Sequence, residues 1–365
     1  MEKAQYRVIG LMSGTSLDGL DMAYCEFTVE EGRWQFSMPL AETREYDSIW
    51  QQKLQHITEV SGEELMIADQ ELGAWMGKAV RQFIDTHQLK PDFIASHGHT
   101  VFHQPERGIT YQMGNPFALQ AASQCTVIGR FRDYDVAIGG QGAPLVPIGD
   151  QLLFGDYDAC LNLGGIANLS TVWQGERIAY DIGTSNMVMN YFAQQVGQSY
   201  DQDGQLARQG TPHQALLTML NALPYYQQPF PKSLGYEWVY KEVIQPIARE
   251  GLSVPDAIAT ALHHAASPIA DSLRYFAEKQ SSNGKFRVLV TGGGAFNPYL
   301  LECIQQYGSD QVELIVPDKN IVAFKEALVF ALLGVLRARN EVNCLRSVTG
   351  AQYDHSAGVI YGKLA

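Results

Sequence analysis

The pattern of apolar and polar positions divides the first part of the chain into short strands followed by helices. Apolar runs over residues 7–12, 20–29 and 34–40 predict three strands that are joined by polar turns. Residues 47–88 predict helices, because apolar side chains return there every three or four positions. Residues 92–96 then predict a strand that leads into a cluster rich in histidine.

A second part of the chain repeats this layout without repeating the residues. Strands are predicted over 159–163, 166–173 and 177–180, and a later one over 286–290 leads into a glycine-rich turn. Helices are predicted between and after these strands, over 187–197, 212–223, 237–249, 256–279, 297–307 and 323–338, with a closing segment over 347–362.

The length predicts two lobes, because 365 residues exceed one ordinary domain. Residues 1–134 together with 345–365 are expected to form the N-terminal lobe, and residues 135–344 the C-terminal lobe. The segment 139–147 is rich in glycine and proline and is the best candidate for a connection between them.

Composition restricts the kinds of partner. A net charge of −13 argues against a nucleic-acid or anionic-membrane surface, so an anionic phosphate has to be bound locally by backbone N–H groups and a metal ion. The five scattered cysteines contain no Cys-x-x-Cys pair, which argues against a disulfide framework or a zinc ribbon. The absence of a secretory segment and of a long apolar run predicts a soluble cytoplasmic protein.

Three glycine turns at strand ends are candidate phosphate sites: Ser13–Gly19, Gly164–Asn168 and Gly292–Asn297. Glycine suits such sites because it lacks a Cβ and tolerates positive φ, so backbone N–H groups can approach phosphate oxygens. None fits the Walker pattern or the dinucleotide fingerprint. Taken singly, each can also be an ordinary hairpin turn, bulge or strand–helix connection.

The combination of these turns resembles actin-like sugar kinases, and longer strings resemble one family of them, the anhydro-N-acetylmuramic acid kinases. The matching blocks follow the family's order over essentially the whole chain: Gly10–Gly19 with Asp21, Ser96–Pro105, Gly139–Pro147, Asn162–Asn168, Tyr200–Gly204, Gly292–Asn297 and Ser347–Gly350. The resemblance implies an α/β fold of the two-lobed actin-like (ribonuclease H-like) kind with an interlobe active-site cleft.

The resemblance also implies a reaction in cell-wall (peptidoglycan) recycling. ATP and water would convert 1,6-anhydro-N-acetylmuramic acid into N-acetylmuramic acid 6-phosphate, with water opening the anhydro bridge at C1 while O6 takes the γ-phosphoryl group. Mg²⁺ is expected to enter with ATP, no other metal is expected, and a homodimer is expected.

The family's roles are carried over residue by residue. Asp181 would be the catalytic base that accepts a proton from the attacking water. ATP would be bound by Ser13, Gly14, Thr15, Ser16, Leu17, Asp18, Gly19, Leu20, Asp21, Gly164, Gly165, Asn168, Gly293, Gly294 and Asn297. The sugar would be bound by Asp18, His97, His99, Arg132 and Asn186.

Local alternatives exist for some of these residues. Asp181 can instead cap the helix that is predicted to begin near Asn186, or lie in a turn. Arg132 can bind the lactyl carboxylate or the transferring phosphoryl group in a fork, or it can form an ordinary salt bridge with Asp133 or Asp135. The histidines at 97, 99 and 103 can face one side of a strand and bind zinc, although hydrogen bonding of His97 to sugar hydroxyls is the favoured interpretation.

The chain departs from the family pattern at several positions. The usual Asp-Thr-Gly-Pro-Gly-Asn is Asp181–Asn186 here, with Ile182 in place of the threonine and Thr184-Ser185 in place of Pro-Gly. Arg130 stands where the family usually has aspartate, and the usual Lys-Ser-Thr-Gly-Arg-Glu is Lys232-Ser-Leu-Gly-Tyr-Glu237. A kinase for another (anhydro)sugar and a catalytically weak ATP- or sugar-binding sensor therefore stay open as alternatives.

Overall fold

The computed structural model describes residues 5–14, 17–280 and 284–364. Its strands, β1 to β12 in chain order, are Gln5–Ser13, Gly19–Glu30, Arg33–Glu45, Phe93–Gln104, Ile109–Met113, Val127–Gly129, Ala159–Leu163, Ile166–Trp173, Glu176–Thr184, Phe286–Thr291, Val312–Ile315 and Val359–Tyr361. Its α-helices, α1 to α14, are Ser48–Gln55, Gly62–His87, Pro116–Ser123, Asp133–Ala137, Pro147–Leu153, Asn186–Ala193, Gln205–Gln209, Gln214–Asn221, Tyr236–Val239, Gln245–Arg249, Val254–Gln280, Pro298–Tyr307, Lys319–Ala338 and Arg346–Thr349.

The first sheet is built around β1. Its order is β12-β6-β4-β1-β2-β3, with β5 paired to β4. The strands β1, β2 and β3 are antiparallel neighbours, whereas β4 lies parallel to β1 and β6 lies parallel to β4. If β5 and the edge strand β12 are set aside, the order across the sheet is β3-β2-β1-β4-β6, which in chain order is third, second, first, fourth and fifth.

The second sheet has the same order and the same strand directions. It runs β11-β10-β7-β8-β9, with β7, β8 and β9 antiparallel and with β10 and β11 parallel to β7. This order, present in both sheets, is that of the ribonuclease H-like fold. The predicted α/β class and the predicted repetition of the layout are confirmed.

Each sheet buries a helix of about the same length. The helix α2 begins at the cap residue Ser61, whose side chain and that of Glu64 cap each other's backbone. Its apolar stripe, which includes Leu72 and Val80, packs with Ile9 of the central strand in one buried cluster. In the second sheet α11 takes the corresponding place and is buried along most of its length. The predicted helical segment 47–88 is therefore two helices, interrupted at residues 56–61.

The contacts divide the chain into two units, residues up to Leu153 together with those from Phe324 onward, and Phe154–Ala323. The predicted boundaries lay after residues 134 and 344. The segment 139–147, predicted as the connection, lies inside the first unit, where the Gly142 N–H donates to Asp135 Oδ2 at 2.6 Å. A buried ion pair of 2.6 Å between Lys325 and Asp150 holds α13 and α5 in this unit as well.

Gly10, in the middle of β1, permits α13 to approach the sheet. A Cβ on Gly10 would lie 1.9 Å from the carbonyl oxygen of Ala327, which is a backbone atom and cannot rotate away. We therefore expect Gly10→Ala to lower the free energy of unfolding by about 1–3 kcal/mol in urea denaturation. Gly62→Ala is the matched control, because nothing lies within 4 Å of its added Cβ. Equal stability of the Gly10 variant and the native protein would contradict this close approach.

Candidate active site

The first candidate phosphate turn joins β1 to β2. Leu17 has a left-handed backbone with φ of 58°, and Asp18 Oδ1 accepts a hydrogen bond from the Gly19 N–H at 3.0 Å. A Cβ on Gly19 would lie 2.5 Å from the Arg44 carbonyl oxygen on the neighbouring strand. Packing within the protein thus requires glycine at position 19, whatever ligand the turn binds.

The side chains of Ser13 and Leu20, which were also predicted to bind ATP, contact other parts of the protein. The Ser13 hydroxyl is buried and lies 2.8 Å from the Tyr46 hydroxyl and 2.9 Å from His99 Nδ1. Leu20 is fully buried in the core. Any contact of Ser13 or Leu20 with ATP would therefore be made by the backbone. The predicted residues Thr15 and Ser16 lie outside the described residues.

Asp21, on β2, lies in a concentration of negative charge. Burial raises the pKa of Asp21 to about 6, and the carboxylates of Asp18 and Glu326 add to this shift, although a hydrogen bond from Thr43 opposes it. The Thr43 hydroxyl donates to Asp21 Oδ1 at 2.6 Å. Carboxylates in this arrangement favour a hard cation, which would remove the repulsion between them.

His97 uses both of its ring nitrogens within the protein. Nδ1 lies 2.9 Å from the Gly98 carbonyl oxygen and therefore donates to it, while Nε2 accepts a hydrogen bond from Arg132 Nε at 3.0 Å. Burial and the neighbouring Arg132 hold the pKa of His97 well below its usual value, so the ring is neutral. In this structure His97 orients Arg132, and a hydrogen bond to a sugar hydroxyl would have to replace one of these contacts.

The other two histidines of the cluster have separate partners. His99 Nδ1 lies 2.9 Å from the Ser13 hydroxyl, and His103 Nδ1 lies 3.1 Å from the Thr110 hydroxyl. Within the part of the chain that the structure describes, these histidines do not belong to a group of three ligands that could share a metal ion. The zinc alternative for this cluster has no support in the geometry.

Arg132 precedes α4 and points its guanidinium group at backbone and histidine rather than at neighbouring acids. Its Nη1 donates to the Gly142 carbonyl oxygen at 2.6 Å. Asp133 is paired with Arg130, and Asp135 accepts from the Gly142 N–H. These contacts leave three of the five guanidinium N–H groups for a further acceptor. The local salt-bridge alternative is therefore not what the structure shows.

Glu326, on α13, is a charged residue that interacts with Arg132 and that the sequence analysis did not single out. It is accessible to solvent, and desolvation by the surrounding protein raises its pKa, while the charge of Arg132 lowers it. Arg132 and Glu326 therefore lie close enough for the charge of each to shift the pKa of the other. The one signal in the sequence is the charged pair Lys325-Glu326, which directly precedes a long apolar stretch.

The glycines of the second phosphate turn, between β7 and β8, are not required by packing within the protein. An added Cβ would come no closer than 3.3 Å to a neighbour at Gly164 and 3.4 Å at Gly165, and neither residue has a positive φ. By contrast, an added Cβ at Gly10 or Gly19 would lie 1.9 Å or 2.5 Å from a backbone carbonyl oxygen. The nearest atoms at Gly164 and Gly165 belong to the side chains of Asn162 and Met187, which can shift, so these glycines are less strictly required by the fold than Gly19. This is compatible with a ligand that approaches the backbone there.

The third turn combines structural and open glycines. Gly292 has φ of 80°, and a Cβ on Gly294 would lie 2.7 Å from that of Leu163, so both positions need glycine for the fold. Gly293 between them is open, with the nearest atom 3.6 Å from an added Cβ. The Asn297 side chain caps α12 by accepting from the Leu300 N–H at 3.0 Å.

The start of α6 lies against the second phosphate turn. The Asn186 side chain donates to the Leu163 carbonyl oxygen at 2.8 Å, and its backbone N–H donates to the Gly164 carbonyl oxygen. The Ser185 hydroxyl, at the cap position, is buried and has no hydrogen-bond partner among the described residues. A buried hydroxyl without a partner beside a helix N-terminus and an open glycine turn fits a phosphate oxygen.

Asp181 lies inside β9, opposite Asn168 of β8, and is held from three sides by the segment after α8. Its Oδ2 accepts from the Leu234 N–H at 2.9 Å, its backbone N–H donates to the Lys232 carbonyl oxygen, and its carbonyl oxygen accepts from the Tyr225 hydroxyl. No described residue donates a hydrogen bond to Oδ1.

This position makes Asp181 suited to proton transfer. Burial raises the pKa of Asp181, while the Leu234 hydrogen bond opposes the shift. A carboxylate with one oxygen fixed, the other available and a raised pKa is a stronger base than an exposed aspartate. Asp181 does not cap α6, because it lies within β9 and Ser185 occupies the N-cap position of that helix.

The comparisons with known proteins agree over nearly the whole chain. A family model described as anhydro-N-acetylmuramic acid kinase matches residues 6–363. A relative of that name from Mannheimia succiniciproducens is 33% identical over 97% of this chain and 98% of its own length. A relative of the same name from Photobacterium profundum is also 33% identical, over 97% of this chain and 98% of its own length.

A solved structure, the activator of the 2-hydroxyisocaproyl-CoA dehydratase from Clostridium difficile with bound ADPNP, is 12% identical with a TM-score of 0.43. It covers 91% of this chain and 96% of its own. This likeness is too weak to bear on function. None of the described helices has the length and apolar character needed to cross a membrane.

Proposed function

Because the chain belongs to the anhydro-N-acetylmuramic acid kinase family, we propose that it phosphorylates O6 of 1,6-anhydro-N-acetylmuramic acid from ATP while water opens the anhydro bridge at C1. The product is N-acetylmuramic acid 6-phosphate, and the reaction belongs to cell-wall recycling in the cytoplasm. The observation that carries the proposal is the carboxyl group of Asp181, which is fixed at Oδ2 and available at Oδ1.

Asp181 is the general base of the proposed reaction. Its Oδ1 accepts a proton from the water that attacks C1, and the C1–O6 bond breaks as the new C1–O bond forms. The O6 oxygen freed in this step attacks the γ-phosphorus of ATP, and ADP leaves. The Leu234 N–H fixes the carboxylate at Oδ2, and the Lys232 carbonyl oxygen and the Tyr225 hydroxyl hold the Asp181 backbone, so the carboxylate is oriented without being neutralised.

The nucleotide is proposed to bind through the backbone at Gly164, Gly165 and Gly293, with the buried Ser185 hydroxyl donating to a phosphate oxygen. In the first unit, Asp18 and Asp21 fit a divalent cation, because burial raises the pKa of Asp21 and the nearby carboxylates of Asp18 and Glu326 add to this shift. Mg²⁺ bound there would neutralise phosphate charge in a protein whose net charge is −13.

Arg132 is proposed to bind the lactyl carboxylate of the sugar. Its guanidinium group is held by His97 and by the Gly142 carbonyl oxygen, and three N–H donors stay available for an acceptor. A planar fork held in this way suits the two oxygens of a carboxylate. A homodimer and the ATP roles of the remaining residues stay predictions.

Isotope labelling tests the proposal. The protein is incubated with Mg-ATP, the anhydro sugar and ¹⁸O-water, and the product is analysed by mass spectrometry. We expect a 6-phosphosugar with the label at C1. Phosphorylation without label would show a kinase that does not open the ring, and ATP binding without turnover would show a sensor; either result would overturn the proposed reaction.

The pH dependence of turnover follows from the position of Asp181. The base must be ionised, and burial raises its pKa, so kcat should fall with decreasing pH at a value above the ordinary aspartate pKa of about 3.9. Because the pKa of Asp21 is also raised, Asp21→Asn is the control and should keep this acidic limb. An acidic limb at or below the ordinary value would contradict the assignment.

A further inference from the structure

Three buried side chains of the first unit meet at a place that the proposed reaction does not use. Asp135 lies on α4, while Cys344 and His355 are paired to each other by a β-bridge in the C-terminal segment. Their exposed fractions are 0%, 1% and 5%. One ligand atom of each, a carboxylate oxygen, Sγ and an imidazole nitrogen, lies within 4.8 Å of the other two.

The hydrogen bonds decide which nitrogen of His355 carries the proton. Nδ1 lies 3.1 Å from the Tyr353 carbonyl oxygen, which can only accept, so Nδ1 donates. In the neutral ring Nε2 is then an acceptor, and it lies 3.5 Å from Asp135 Oδ1 without a hydrogen bond to any described residue. Two buried acceptors facing each other require a proton or a cation between them.

The distance favours a cation over a proton. Charge-assisted hydrogen bonds between nitrogen and a carboxylate are about 2.7–2.9 Å long, so 3.5 Å is too long for one. Two ligands of a tetrahedral zinc ion, each about 2.0–2.3 Å from the metal, lie about 3.3–3.8 Å apart. The observed separation of Nε2 and Oδ1 falls in that range.

Two hydrogen bonds fix the orientation of the Asp135 carboxylate. The Gly142 N–H donates to Oδ2 at 2.6 Å, and the Thr349 hydroxyl donates to Oδ1 at 2.7 Å. The Nδ1–H contact of His355 orients the imidazole in the same way. Such outer contacts are usual around metal ligands, because they fix the direction of the lone pairs.

We propose that Asp135, Cys344 and His355 bind one Zn²⁺ ion, with water as the fourth ligand. One thiolate, one imidazole and one carboxylate form a borderline-soft donor set that suits zinc better than Mg²⁺ or Ca²⁺. Binding converts the Cys344 thiol to a thiolate and releases its proton to solvent. The charges of the ion, the thiolate and the carboxylate then cancel, which makes the site compatible with the charge of Arg132, which interacts electrostatically with Cys344 and Asp135.

The ion would link three separate stretches of the first unit. Asp135 lies three residues after Arg132, and its carboxylate also holds the glycine-rich segment at Gly142. Cys344 and His355 belong to the closing segment of the chain. Zinc would therefore fasten this segment to the element that carries Arg132, a structural role that is separate from the magnesium bound with ATP.

The test uses the full chain without an affinity tag, stripped with a chelator and then titrated with Zn²⁺ or Co²⁺ in the absence of nucleotide. We expect one tightly bound zinc per chain after gel filtration, by elemental analysis, and a thiolate-to-cobalt charge-transfer band in the near ultraviolet. Cys344→Ser and His355→Gln should each lower the affinity at least tenfold and Cys344→Ser should remove the band. Cys125→Ser, which changes a cysteine outside the cluster, is the matched control and should behave like the native protein.

A second measurement keeps the test decisive if a variant does not fold. X-ray absorption of the zinc-loaded native protein should show one sulfur ligand together with nitrogen and oxygen ligands, and zinc should raise its melting temperature. Failure of the native protein to retain zinc, a shell without sulfur, or equal zinc affinity in a folded Cys344→Ser variant would each overturn the proposal. The first of these outcomes would leave a His355–Asp135 ion pair as the occupant of the cluster.

Discussion

Asp181→Asn should lower kcat by about 10²–10⁴-fold, the usual contribution of a general base, with a much smaller change in the KM for ATP. The amide oxygen of asparagine can still accept from the Leu234 N–H, so the segment around residue 234 should keep its position. What is lost is the ability of Oδ1 to take a proton from the attacking water. Steady-state kinetics with the anhydro sugar measures the effect.

The control for this variant is Asp271→Asn in the same unit. Asp271 is an exposed residue of α11 that pairs with Arg274, so the exchange removes the same charge at a distance from the site. Kinetics close to native are expected for the control. If both variants lost activity equally, or if Asp181→Asn kept native kcat while folded, another residue would have to be the base.

Arg132→Met is expected to raise the KM for the sugar at least about 30-fold, since loss of one partner from a desolvated charge pair costs about 2–5 kcal/mol. Arg132→Lys should restore only part of the affinity, because an ammonium group cannot present two parallel N–H donors to a carboxylate. His97 should then lose the donor that Nε2 now accepts from.

A substrate analogue separates binding of the carboxylate from a general loss of structure. The native protein should prefer the sugar with its lactyl group over the analogue without it, and Arg132→Met should lose this preference. Arg107→Met is the matched control in the same unit, because the Arg107 side chain makes an exposed hydrogen bond to Gln104. An unchanged preference in a folded Arg132→Met variant would show that Arg132 does not bind the carboxylate.

Most of the architecture follows from local patterns. The apolar runs that become β1, β2, β7, β8 and β10 are readable because strands and helices impose different periods on neighbouring residues. The strand that carries Asp181 extends four residues further than predicted, to Thr184, because its pairing with β8 continues after a register shift. Pairing of this kind depends on the partner strand and cannot be judged from one segment alone.

The roles of the glycines in the turns also cannot be predicted from local sequence. Gly19 and Gly164 appear in similar turns of the sequence and were predicted to have similar roles. Only the neighbouring atoms distinguish them. The Arg44 carbonyl oxygen would lie 2.5 Å from a Cβ at Gly19, whereas the nearest atom at Gly164 is the side-chain Nδ2 of Asn162 at 3.3 Å, which can shift. A structural and a ligand-facing glycine therefore cannot be told apart until the packing is known.

The sequence by itself determined the fold class, the family and the candidate base, because these depend on periodicity and on strings of neighbouring residues. Only the tertiary structure shows that Glu326 lies close to Arg132 and that both ring nitrogens of His97 form hydrogen bonds within the protein. It also brings Asp135 close to Cys344 and His355. Asp135 and Cys344 are separated by more than half of the chain. Hydrogen bonds and metal coordination act over a few ångströms in space, and only the folded chain brings such residues within that distance.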